Sequence, residues 1–330
     1  MTISDHPIWF PNGYHHSTRS IERTANYLLQ AIENDLHGAP VSGCGGLGKS
    51  SMIEWLSDNS MRWLINDNDK TIGVCTRFIM PSGNRRSDSA FYTSVCNALR
   101  ITSSDRLSPK RGKDRLVNFV KSRCGQANLP LMVMFVDCAQ RILRHEFDFL
   151  ADIDEQATDA RLRLFLVLVR QSDATGIDTS DTWWSDLPSH MIRRWFMTSH
   201  RFEPLLGLDD ISHALSRYDL ELFWPDADMP YTRQFARHAY DDLGFRMGNQ
   251  GALLMEGADA LRAEVGMPST LRWPMQSFSH AVRYLLTVVA GRNPAFTEFT
   301  PEHVREALQA TGYLRLEYAL ANLIVDQEAA

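Results

Sequence analysis

Val41-Ser42-Gly43-Cys44-Gly45-Gly46-Leu47-Gly48-Lys49-Ser50 places four glycines within six positions. Glycine loses more backbone entropy than any other residue in a regular helix or strand. Such a run therefore belongs where the backbone must wrap closely around something. The spacing of Gly43, Gly48, Lys49 and Ser50 fulfils G-x-x-x-x-G-K-[ST] in full. In that pattern successive backbone N–H groups and the start of the following helix point at an anion. The reading assigns Gly43, Cys44, Gly45, Gly46, Leu47, Gly48, Lys49, Ser50 and Ser51 to a nucleotide phosphate cradle. Lys49 would neutralise the β- and γ-phosphates, and the Ser50 hydroxyl would hold Mg2+. The competing reading is a flexible turn, and the flanking pattern decides against it.

Upstream, residues 17–36 carry Ile21, Ala25, Leu28, Leu29 and Ile32 at helical spacing. A short strand over 39–42 then feeds the loop, and Met52, Ile53, Trp55 and Leu56 follow in a helical register. Strand, glycine loop and helix in that order is the context the motif requires. Residues 71–80 read as a second strand, closed by the turn-forming Pro81-Ser82-Gly83-Asn84. A helix with Phe91, Val95 and Leu99 on one face comes next. A break at Pro109–Gly112 precedes another helix around Leu116, Phe119 and Val120. LMVMFVD (131–137) and LRLFLVLV (162–169) are unbroken apolar runs, as expected of strands buried on both faces of a parallel sheet. Strands alternating with helices predict an α/β fold, a parallel sheet sandwiched by helices.

After FEPLLG (202–207), read as a strand, the character changes. Segments 209–222, 231–245, 249–264, 276–290 and 301–323 all show helical periodicity, and Thr300-Pro301-Glu302 is a helix start. The boundaries drawn are an N-terminal extension and first helix over 1–36, the α/β domain over 37–207, and a smaller all-helical lid domain over 208–330.

The chemistry needs a second part, a carboxylate at the tip of a buried strand near the metal. Asp137 fits, so Ser50 and Asp137 are the expected metal ligands. Gln171, just past another strand, suits a polar sensor of the γ-phosphate. Arg193, Arg194 and Arg201 precede the FEPLLG segment, and an arginine there could stabilise phosphoryl-transfer charge in a neighbouring subunit. The set expected to act in catalysis is Lys49, Asp137, Gln171, Arg193 and Arg194. Glu146 and Asp148 are further acids on the helix after Asp137.

The bulk numbers bound the partners. A chain of 330 residues with 44% hydrophobic and 22% charged residues is ordinary globular material, enough for about two domains. No apolar run is long enough to cross a bilayer, and MTISDHPIWF lacks the pattern of a secretory signal. Five cysteines without a C-x-x-C pair fit a reducing cytoplasm better than a disulfide framework. The net charge is -6, yet residues 77–123 hold eleven Lys or Arg against three Asp, a local +8 that leaves -14 elsewhere. Such asymmetry is the mark of an electrostatic patch. Arg85, Arg86, Lys110, Arg111, Lys113 and Arg115 are the residues expected to touch a nucleic-acid backbone without reading bases. A solvated face balanced by acids elsewhere is the alternative. The eight tryptophans, Trp183 and Trp184 included, are read as packing.

With these pieces placed, the chain resembles the AAA+ ATPases that regulate transposition, the TnsC/TniB group, including those of CRISPR-associated transposons. The resemblance is carried by HHSTR before the first helix, GCGGLGKS, MPSGNRRSDSAFYTSVCNALRI, VDCAQRIL, VLVRQSD, RFEPLLGLDDI and GNQGALLMEGADAL, spanning 15–265. It implies a bacterial cytoplasmic protein that binds ATP and Mg2+ between subunits. It further implies a homo-oligomer on double-stranded DNA, a ring of six or seven subunits or a helical filament. Such an assembly links a target-selection protein of the TniQ/TnsD type to the transposase. Two departures stand out. Cys138 sits where hydrolysing members carry the glutamate that orients water, and Gly248-Asn249-Gln250-Gly251 lacks the arginine many relatives have there, with Arg246 two residues ahead. Both favour slow hydrolysis by a protein that uses ATP mainly to assemble. A STAND-type signalling switch, whose loops read GG-x-GK[ST], a non-hydrolysing ATP-binding scaffold and a small-molecule kinase are the alternatives.

Overall fold

The computed structural model describes residues 3–83, 85, 87–101, 107–172 and 184–319. The described parts of the chain form two compact units, one made of Arg23–Cys44 and Met52–Phe202, the other of Met1–Glu22, Gly45–Ser51 and Glu203–Ala330.

The first unit is built on five strands: β1 (Gly38–Gly43), β2 (Gly73–Ile79), β3 (Leu131–Asp137), β4 (Arg163–Gln171) and β5 (His200–Arg201). They lie in the order β2-β3-β4-β1-β5, and every pairing is parallel. The helices along this part of the chain are α1 (Arg19–Glu33), α2 (Lys49–Asp58), α3 (Ser60–Trp63), α4 (Asp88–Ala98), α5 (Pro109–Ala127), α6 (Glu146–Asp159) and α7 (Ser189–Trp195). The unbroken apolar runs are explained by burial on both faces. Met132, Met134, Val136, Leu164, Leu166 and Leu168 join one core with α4, α5, α6 and α7. Val133, Phe135, Phe165, Val167 and Val169 are no more exposed than these, and alternation along a strand sends them to the other face. There the ring of Trp63 meets Phe135 at 6.4 Å. The α/β class expected from the sequence is the fold observed.

Two local readings change. Pro109–Gly112 is the first turn of α5 rather than a break before it. Ser108 caps the helix by accepting the Arg111 N–H, and proline is compatible with a first helical turn because its missing donor has no partner there. Gly112 lies so close to Tyr92 that a side chain would collide with the Tyr92 Cβ, so this glycine serves the packing of α5 on α4. FEPLLG is not a strand of the main sheet. His200–Arg201 takes that place beside β1, with Arg201 inside the strand. Leu205–Leu206 (β6) instead pairs antiparallel with Arg272–Trp273 (β7) in the other unit.

Among the described residues, that second unit has no strand besides this pair and an isolated bridge between Phe223 and Pro230, and its regular structure is otherwise helical. Its helices are α8 (Gly207–Leu220), α9 (Tyr231–Phe235), α10 (Arg237–Asp242), α11 (Gly251–Glu264), α12 (Met275–Tyr284) and α13 (Pro301–Ala310), with a further helical stretch over 313–319. The single helix expected over 231–245 is two, because Ala236 leaves the helical region at φ -126° and ψ 47°. α12 passes directly into one π-helical stretch, Leu285–Ala290. The start at Thr300 is a full capping box: Thr300 Oγ1 accepts the His303 N–H, and His303 Nδ1 accepts the Thr300 N–H. The N-terminal segment contributes Ile8 to the same core, and His6 is enclosed by the rings of Trp224, Tyr231 and Phe235. Among the described residues no helix is long and apolar enough to cross a membrane.

Candidate nucleotide site

β1 ends at Gly43 and α2 begins at Lys49, so Cys44–Gly48 is the loop between them. Gly46 and Gly48 stand at φ +75° and +98°, a region side-chain-bearing residues rarely adopt. The loop thus turns its backbone in a way that needs glycine at these two positions. Cys44 and Leu47 anchor it by burial, whereas Lys49 is half-buried and Ser50 exposed. The first four N–H groups of a helix have no partner within it, and the dipole adds positive potential there. For α2 these donors come from Lys49–Met52.

The start of α12 lies against this loop, a contact the sequence gave no means of foreseeing. Gln276 donates its backbone N–H to the Gly46 carbonyl at 2.9 Å. A side chain added at Gly48 would press on the Met275 Cβ at 3.1 Å. The only local signal is Pro274, a common residue at a helix start, and it says nothing about what that start touches.

Parallel pairing brings three strand ends to one edge of the sheet. Gly43 is in register with Gln171, Ser172 donates to the Gly43 carbonyl at 3.0 Å, and Asp137 is the last residue of β3. Open α/β sheets bind ligands off these carboxyl ends. Asp137 is half-buried, and its Oδ1 accepts the Cys138 N–H at 2.8 Å. Cys138 stands in the left-handed region, φ 57° and ψ 40°, which turns the chain sharply into a 3-10 turn over Ala139–Arg141. Gln171 is exposed at the end of β4.

Several expected residues are engaged elsewhere. Arg85 is 5% exposed and forms a two-pronged pair with Glu146, itself fully buried. It is therefore a structural ion pair and not a nucleic-acid contact, because its guanidinium does not reach solvent. The same pair removes Glu146 from the candidates for orienting water. Asp148 is exposed. Arg194 donates to the Ala151 carbonyl and pairs with Glu155 at 2.9 Å, so it ties α7 to α6 rather than standing free for a neighbouring subunit. Arg193, one position earlier, is exposed. Arg246 donates to the Tyr240 and Phe245 carbonyls and lies over the Tyr240 ring at 3.7 Å, which fixes it as a local clamp. The backbone at Met247 and Gly248 donates to the Asp219 carboxylate, so the Gly-Asn-Gln-Gly turn is held by α8.

Of the remaining basic residues, Lys110, Arg111 and Arg115 are exposed on α5, joined by Lys121 and Arg123 further along it. Lys113 pairs with Asp152 at 3.1 Å. Arg86 and Trp183 lie outside the described residues; Trp184 stacks on Phe196, as its reading as a packing residue requires.

A glycine loop joining a strand to a helix, on a parallel sheet whose next two strands end in Gln171 and Asp137, defines an α/β P-loop fold. No family model matches the chain, and no curated protein matches it. Among solved structures, a Cdc6p from Pyrobaculum aerophilum is similar at 15% identity, over 97% of this chain and 88% of that one, with a TM-score of 0.43. An ORC2 protein from Aeropyrum pernix is similar at 11% identity, over 93% and 83%, with a TM-score of 0.42. A RuvB T158V from Thermotoga maritima is similar at 11% identity, over 89% and 69%, with a TM-score of 0.39. The fold assignment rests on the sheet and the loop, not on these likenesses.

Proposed function

We propose that this chain binds ATP on the Cys44–Gly48 loop and uses it to assemble on double-stranded DNA as an AAA+ regulator of transposition of the TnsC/TniB kind. The observation that carries the nucleotide reading is the pair of left-handed glycines at Gly46 and Gly48, set between a buried strand and the start of α2. In this reading Lys49 serves the β- and γ-phosphates, and Gly43–Ser51 form the cradle. Ser50 and Asp137 are the residues that would hold Mg2+, whose charge would offset that of the phosphate oxygens. The donor types fit, since a hydroxyl and a carboxylate are the hard oxygen ligands this cation takes. Gln171, at the sheet edge beside Gly43, is assigned to sensing the γ-phosphate.

Slow hydrolysis follows from what stands beside Asp137. Cys138 has no carboxylate to orient water, and Glu146 is committed to Arg85. The same two observations favour a non-hydrolysing scaffold as the limiting case. Arg193, exposed on α7, is the arginine assigned to a neighbouring subunit's nucleotide.

The DNA reading rests on the outer face of α5, where Lys110, Arg111, Arg115, Lys121 and Arg123 oppose one exposed acid, Asp114. Such a face contacts phosphates and carries no base readout, so target choice belongs to partner proteins of the TniQ/TnsD type, with the transposase acting downstream. The setting is the bacterial cytoplasm, with the α/β domain over 37–207 and the lid over 208–330. Electron microscopy with duplex DNA and a non-hydrolysable ATP analogue tests the whole. Rings or filaments encircling DNA are expected; monomers unaffected by nucleotide and DNA would overturn the proposal.

A further inference from the structure

Arg85 is six residues beyond β2, yet its guanidinium reaches across to the turn that follows Asp137 and to the start of α6. Its Nε and Nη2 donate to the two Glu146 oxygens at 2.5 and 2.8 Å. Nη2 also donates to the Arg141 carbonyl at 2.8 Å, and Nη1 to the Pro81 carbonyl at 2.5 Å. Glu146 Oε2 accepts the Leu143 N–H at 2.8 Å. Arg141 in turn donates from Nη1 to the Met80 carbonyl at 3.0 Å, and its backbone N–H to the Cys138 carbonyl at 2.9 Å. Met80 N–H closes the circuit on the Asp137 carbonyl at 2.8 Å.

The circuit surrounds a backbone that would not hold its shape unaided. Cys138 carries a side chain in the left-handed region, where non-glycine residues are disfavoured and persist only when their surroundings impose it. At the head of this turn the Cys138 N–H is bonded to Asp137 Oδ1 at 2.8 Å. Two oxygens and a guanidinium removed from water make a strong restraint, because a buried charge left without its partner is heavily penalised.

We infer that Arg85 and Glu146 are positioning residues for the Asp137 carboxylate: their buried pair clamps the Cys138–Arg141 turn, and the turn fixes the carboxylate through the Cys138 N–H. This rests on the proposal that Asp137 serves Mg2+-dependent nucleotide binding. It also explains why an arginine in a segment so rich in surface cations is buried. Lysine keeps the charge at position 85 but, with a single ammonium, cannot span Glu146, the Arg141 carbonyl and the Pro81 carbonyl together.

The test uses the full chain with Arg85→Lys and Glu146→Gln, and the exchange Arg85→Glu/Glu146→Arg should either fail to fold. Amide hydrogen exchange of nucleotide-free protein is read at Cys138, Arg141 and Leu143. Affinity for a fluorescent ATP analogue is then measured with and without Mg2+. Arg85→Lys is expected to speed exchange at all three amides by 10-fold or more. It should also weaken analogue binding about 10-fold with Mg2+ while leaving Mg2+-free binding unchanged. Protection and Mg2+ dependence equal to wild type in a folded variant would overturn the inference. A loss of affinity equal with and without Mg2+ would also overturn it, as general loosening. Failure of the wild type itself to bind the analogue would instead sink the nucleotide reading, while the exchange result would still report on the clamp.

Discussion

Neutralising the outer face of α5 should change how DNA binding responds to salt. Lys110, Arg111 and Arg115 are all exposed, within a turn and a half of one another. If each neutralises one phosphate, replacing all three by Gln reduces the slope of log affinity against log salt by about 2.7, at about 0.9 per contact. Between roughly 50 and 200 mM salt, the variant would then lose about 40-fold less affinity than wild type. Fluorescence anisotropy of a labelled duplex with an ATP analogue present measures this, and Arg305→Gln on α13 serves as an exposed control in the helical unit. A triple variant that binds more weakly at every salt concentration, with the wild-type slope, would refute the phosphate-contact reasoning. It would mean that the face acts through protein contacts.

Other expectations are smaller in scope. Gly48→Ala should cost about 1–2 kcal/mol from its left-handed backbone alone, with further pressure on Met275; urea unfolding reads it, and a neutral result would show that the loop relaxes freely. Burial holds His6, His16 and His200 down to about 4, so the folded protein keeps them neutral while the unfolded chain protonates near 6.5. Stability is then full above about pH 6.5 and falls as pH drops towards 4, by about 2 kcal/mol from His6 alone between pH 7 and 5. His6→Asn, which can still accept the Ile8 N–H, should flatten that decline, and an unchanged slope would contradict it. Cys138→Glu should raise the ATPase rate measured by phosphate release; no change would mean that water is oriented from elsewhere.

The sequence announced the strand–loop–helix and the buried strands because each is local: glycine spacing, an apolar run and a terminal Asp137 suffice. What escaped it is where distant residues meet. Arg85 read as a surface cation because its charge sits among ten others in 77–123, and nothing nearby reveals a glutamate 61 positions on. Arg194 misled in the same way, since its partners lie on α6. FEPLLG has strand composition, yet the two residues before it pair with β1 and its Leu205–Leu206 pairs with Trp273 and Arg272. Pairing partners of such short strands are set by tertiary packing rather than by propensity. The contact of α12 with the glycine loop was hidden for the same reason, as about 230 residues separate Gly46 from Gln276.

The central claim is that the Cys44–Gly48 loop holds a nucleotide triphosphate through its backbone and Lys49. Isothermal titration of ATP with Mg2+ into wild-type protein and Lys49→Ala measures it directly. Saturable binding at one nucleotide per chain, weakened at least about 10-fold by loss of the charge-assisted contact, is the result the account predicts. Absent binding, or equal affinity in the two proteins, would contradict it.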